Sequence, residues 1–107
     1  FKVLKVPNTI GTHIAELAIE YNLDGKHNKI TSADISEDGK TIVLLNHDKL
    51  WKLTNFKDDN FFEGNVEAVD FEHDSQKEGI CFKDNNTVII TDEDSGKEDN
   101  NIYALKL

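Results

Sequence analysis

The chain has no methionine and only one cysteine, one proline and one tryptophan. A single thiol, Cys81, excludes an internal disulfide. Its setting, Gly79-Ile80-Cys81-Phe82, predicts a small buried hydrophobe and not a nucleophile. No apolar run approaches the roughly 18 residues of a membrane-spanning helix, and no charged-then-apolar leader precedes the first strand. The chain starts at Phe1, so a processed product or a piece of a longer protein is expected. Basic residues are scarce: 12 against 21 acidic ones, a net charge of −9. A nucleic-acid backbone or an anionic membrane surface would repel such a chain. No nucleic-acid partner and no membrane insertion are therefore expected, while cations, basic partners and neutral ligands remain open. Catalytic signatures are also missing. There is no Gly-x-Ser-x-Gly elbow and no glycine-rich phosphate loop. His13, His27, His47 and His73 form no metal-binding spacing, and Ser75 beside His73 and Asp74 is not a triad.

What is present is a repeat. Residues Ile30–Leu53 return as Lys77–Leu107: Asp38 matches Asp84, Thr41 matches Thr87, and Ile42-Val43-Leu44 match Val88-Ile89-Ile90, at an offset of 87 − 41 = 46. Leu50-Trp51-Lys52-Leu53 answers Ile102-Tyr103-Ala104-Leu105, so Trp51 and Tyr103 read as equivalent packing residues. Short runs rich in Val, Ile, Leu, Thr and aromatics predict nine strands: Lys2–Val6, Ile14–Tyr21, Ile30–Ile35, Thr41–Asn46, Lys49–Thr54, Val66–Phe71, Glu78–Phe82, Thr87–Thr91 and Ile102–Leu107. Glu37-Asp38-Gly39-Lys40 reads as a hairpin turn, with Gly39 free to take positive φ. Asp84-Asn85-Asn86 replaces it in the second copy, where Asn tolerates the left-handed region, and His47-Asp48 is a further tight turn. Ile14–Tyr21 has a helical alternative in its Ala, Glu and Leu content, but it stands one period before Val66–Phe71, which reads as a strand.

A period of this length made of short strands is the sequence pattern of a β-propeller blade. With blade strands lettered a to d from the inside outward, the chain runs c-d, a-b-c-d, a-b-c. The expected fold is all-β, about two four-stranded antiparallel blades within a single unit, 1–107: a partial blade over 1–29, a blade over 30–71 and a partial blade over 78–107. Propellers close with about 4–8 blades. Two blades would leave apolar faces uncovered, so the expected partners are the remaining blades of a longer chain or further copies in a homo-oligomer. A nine-strand β-sandwich is the alternative.

Ala33–Leu45 (ADISEDGKTIVLL) resembles the a–b hairpin of bacterial propellers of the NHL, WD-like and gluconolactonase-like groups. Lys77-Glu78-Gly79-Ile80 followed by Thr87–Asp92 (TVIITD) resembles a blade of the SdiA-regulated and esterase-like-phytase propellers, and Leu50–Gly64 is similar to a blade of secreted Bacteroidetes propellers. The resemblance implies an extracytoplasmic location. It also singles out Glu78, aligned with Ser32 at 78 − 32 = 46, as a channel-mouth carboxylate for ligand or metal; the bland alternative is a solvated or backbone-bonded acid. Asp92-x-Asp94-x-Gly96 supplies closely spaced hard oxygens of the kind that bind Ca²⁺, although it fails the EF-hand pattern. Phe56, Phe61 and Phe62, in the polar loop Thr54–Asn65, are a candidate ligand-contact surface or a satellite core. The resulting expectation is a non-catalytic ligand- or protein-binding module. Its alternative is a fragment of a Ca²⁺-dependent propeller hydrolase with Glu78, Asp92 and Asp94 as metal ligands.

Overall fold

The computed structural model describes residues 1–23, 29–72, 75–93 and 101–107. The described residues are all-β, without a helix: β1 Lys2–Lys5, β2 Glu16–Glu20, β3 Ser32–Ile35, β4 Thr41–Leu45, β5 Lys49–Thr54, β6 Asn65–Asp70, β7 Lys77–Asp84, β8 Thr87–Asp92 and β9 Ile102–Lys106. They form three antiparallel sheets in plain sequence order: β1-β2, β3-β4-β5-β6 and β7-β8-β9. Ile14–Tyr21 is thus a strand at its centre and not a helix. Its register against β1 slips by one residue between Val3 and Leu4, a bulge at Ala18.

The four-stranded sheet lies in the middle because its two central strands, β4 and β5, are apolar on both faces. Side chains alternate across a strand. Val43 and Leu45 of β4 join Leu50 on one face and meet Ile80, Val88 and Ile90 of the third sheet. Leu44, Trp51 and Leu53 point the other way and form a second core with Leu23, against which Phe1, Tyr21, Phe61 and Phe62 pack. Val43, Leu45 and Leu50 are fully buried.

Polar bonds tie the second and third sheets. Ser32 Oγ accepts from Ile80 N–H at 3.2 Å and Asp34 Oδ2 from Phe82 N–H at 2.7 Å. Thr31 Oγ1 donates to Lys77 O at 2.9 Å. The two N–H groups belong to β7, which among the described residues has no strand on that side, so side chains of β3 satisfy them.

The turns follow their chemistry, with one difference from expectation. Gly39 takes φ 69°, as its hairpin requires. Asn85 and Asn86 stay out of the left-handed region; that conformation falls to Asn55 and Asp58 in the loop after β5. Asn46 Oδ1 accepts from Asp48 and Lys49 N–H at 2.9 and 2.6 Å and closes the β4–β5 turn. The Ser36 hydroxyl and the Lys40 N–H hold the Asp38 carboxyl below its ordinary value, and the Asn86 N–H does the same for Asp84. Each turn therefore contributes stability above the ordinary carboxylate pKa and loses it as pH falls through the lowered one.

Replacing Asp34 by Ala leaves the Phe82 N–H without its charged acceptor and should cost about 1–3 kcal/mol in urea unfolding, with Asp34→Asn recovering part of the loss. An unchanged unfolding midpoint in Asp34→Ala would show that this inter-sheet bond carries no stability.

Candidate functional site

Between the first and second sheets lies an apolar cleft of ≈ 180 Å³, lined by Phe1, Val3, Ala33, Ile42, Leu44, Leu53, Phe61 and Phe62. It exists because β1-β2 has only two strands. Val3 and Phe1 cover the outer part of the middle sheet, while Ala33 and Ile35 stay exposed, Ile35 at 49%. The loop after β5 supplies the aromatic wall. Asn60 N–H donates to Lys57 O and Glu63 N–H to Asn60 O, both at 3.1 Å, which makes the loop tight. Gly64 closes it: a Cβ there would collide with Thr54 O and come within 2.6 Å of Asn55 C and Phe56 N. Phe62 stacks on Tyr21 at 4.0 Å and meets Phe1 at 5.5 Å, while Phe56 meets Phe61 edge-on at 5.4 Å. A surface pair, Lys5–Asp59 at 2.8 Å, joins β1 to the loop, but its exposure makes its contribution small.

The three phenylalanines fold back as a satellite core against the middle sheet, and Phe61 and Phe62 line one wall of an open cleft. Among the described residues the side chains that line the cleft are all apolar, which suits apolar recognition.

Glu78 lies elsewhere, across the opposite face of the middle sheet. Its Oε1 is 2.8 Å from Nε2 of His47, in the β4–β5 turn, with the two side chains 41% and 36% exposed. The strand register also revises its alignment. Ser32 pairs with Leu45 and Gly79 with Thr91, so Gly79 holds the place of Ser32, and a bulge between Lys77 and Gly79 absorbs the extra residue. Beside Glu78, Lys77 is buried (1% exposed), its Nζ bonded to His47 O, Ser75 O and Ser75 Oγ and 4.7 Å from the Phe71 ring. The sequence carries no signal for this polar knot, because its members come from separate turns.

Asp92 accepts from the Tyr103 hydroxyl at 2.7 Å through Oδ2, while Oδ1 is buried without a hydrogen-bond partner among the described residues. Asp94, like His27 and His73, lies outside the described residues. Among the described residues no three His, Cys, Asp or Glu gather to hold a metal ion. Cys81 reverses expectation: it is exposed. Its side of β7 faces away from the middle sheet, and no further sheet of the described residues covers it.

The hydrogen bond to Asp92 and burial hold the Tyr103 phenol above its ordinary value near 10. The folded state keeps that proton more tightly, so this contribution is complete below the ordinary phenol value and lost as pH rises through the raised one. In a Tyr21→Phe background, alkaline titration at the phenolate absorbance should give a midpoint above 10, brought down by Asp92→Asn. A midpoint unmoved by that substitution would show that Asp92 does not set it. Compared with known proteins, the chain matches no family model, no curated sequence and no solved structure.

Proposed function

We propose that the chain is a non-catalytic ligand- or protein-binding module built of β-propeller blades, with the cleft beside Phe61 and Phe62 as its contact surface. The observation that carries this reading is the cleft itself, open on one side and lined among the described residues by apolar side chains alone. The propeller reading draws support from three meandering sheets stacked face to face, in strand counts of two, four and three. A two-layer sandwich would leave the middle sheet covered on one face only. In the propeller reading the cleft is the space of inner strands that β1-β2 lacks, and further blades, from a longer chain or other copies, are its natural cover.

The chemistry of the cleft selects apolar side chains or apolar ligand groups. An environment-sensitive apolar dye should bind the chain, and Ala33→Asp in the exposed cleft floor should weaken binding by about tenfold while leaving the fold intact. Dye binding indifferent to Ala33→Asp, and to Phe61→Ala with Phe62→Ala, would overturn the assignment.

The calcium-dependent alternative has one observation in its favour, the buried Oδ1 of Asp92, which has no hydrogen-bond partner among the described residues. The binding-module reading expects a melting temperature unchanged by millimolar Ca²⁺. A rise that Glu78→Gln abolishes would instead carry the hydrolase alternative, since a ligand that binds only the folded state stabilises it by mass action.

A further inference from the structure

Three connections meet at one end of the stack. The bonds Ser32–Ile80 and Asp34–Phe82 advance together along β3 and β7, so the two strands run the same way and deliver their following turns to the same place. The pairing of Thr41 with Thr54 brings the start of the β5–β6 loop there as well. Between these connections lies a polar pocket of ≈ 460 Å³, larger than the apolar cleft at ≈ 180 Å³ and inside the range of about 300–1,000 Å³ of small-molecule sites. Its walls are turns of two adjacent sheets, and it shares no lining residue with the cleft beside Phe61.

The backbone around the pocket is held, while most of its polar side chains are not used to hold it. Gly39 N–H donates to Ser36 O at 2.8 Å, Lys40 N–H to Asp38 Oδ1 at 3.0 Å and Thr41 N–H to Ser36 Oγ at 3.0 Å. Asn86 donates its N–H to Asp84 Oδ1 at 2.9 Å and accepts from Leu107 N–H at 2.8 Å through its carbonyl. Asn85 Oδ1 accepts from Asp38 N–H at 3.4 Å, a long bond between the two turns that leaves the amide protons of Asn85 to donate. Among the described residues the side chains of Thr41, Thr54, Asn55 and Asn86 make no hydrogen bond within the protein. A ligand would therefore meet preset donors and acceptors, with little ordering cost.

The composition of the lining selects the ligand. Asp38 and Lys40 are its two charged residues, of opposite sign, so neither an anion nor a cation is favoured. Three carboxamides, Asn55, Asn85 and Asn86, and two hydroxyls, Thr41 and Thr54, both donate and accept. Such groups match ligand hydroxyls, which also do both. Phe56, half-buried, is the one large apolar side chain of the lining and suits a ring with an apolar C–H face. We propose that this pocket binds a neutral pyranose, its hydroxyls bonded to the carboxamides and to Asp38 and its ring against Phe56. The assignment does not rest on the apolar cleft.

The probes are the methyl glycosides of glucose, galactose and mannose, titrated separately into the full chain and followed by amide chemical shifts. One pyranose at an open site should bind with a millimolar Kd, so titration to about 50 mM is needed. At least one glycoside should move the backbone amides of Gly39 and Lys40 and the side-chain amides of Asn55, Asn85 and Asn86. Asn55→Gly removes a carboxamide and keeps the φ of 55° accessible, and should weaken binding about twofold to tenfold. Phe56→Leu keeps an apolar side chain and loses the ring, with a loss of similar size, about twofold to tenfold. Glu67→Gln, exposed on β6 and outside the lining, should leave binding unchanged. The shift map of the unsubstituted chain stands even if a variant does not fold. No saturable shift with any of the three glycosides, shifts confined to residues outside the pocket, or equal shifts with glycerol would each overturn the proposal. So would binding of glycine in place of the sugars, which would assign Asp38 and Lys40 to a zwitterion.

Discussion

Strand β4 is apolar on both of its faces, and such a strand has to be covered twice. Val43 and Leu45 are fully buried against one neighbouring sheet and Leu44 is buried against the other. A single two-layer arrangement would strand one of these faces in water, at roughly 25 cal/mol per Å² of apolar surface. The three-layer stack follows from that constraint. So does the composition of β5, where Leu50 turns to one core while Trp51 and Leu53 turn to the other. The polar bonds from Ser32 and Asp34 come second. They set the register between sheets that burial has already brought together.

The same constraint locates the unfinished parts of the molecule. A stack of three sheets has two outer faces, and both sheets that carry them are narrower than the middle one. Where β1-β2 falls short, Ala33 and Ile35 are left open and the Phe61 cleft forms. Where β7-β8-β9 falls short, Val69 is left 41% exposed. Cys81 belongs to this account too. Its strand reads as core because its neighbours Ile80 and Phe82 are core, yet it looks outward from the last sheet.

Strand positions were legible in the sequence because alternation, β-branched content and turn residues all agree locally: all nine expected strands have counterparts, to within a residue or two at most ends. The aromatic wall was legible as well, since three phenylalanines in a polar loop have few places to go. What escaped were features that depend on packing across sheets. A bulge is one inserted residue, and a sequence alignment at constant offset cannot show it; hence Glu78 was matched to Ser32 when Gly79 holds that place. The His47–Glu78 pair joins residues of different sheets, and neither neighbourhood hints at the other. Lys77 carries the same lesson, because a lysine at the start of an apolar strand reads as solvated and instead is buried under Phe71.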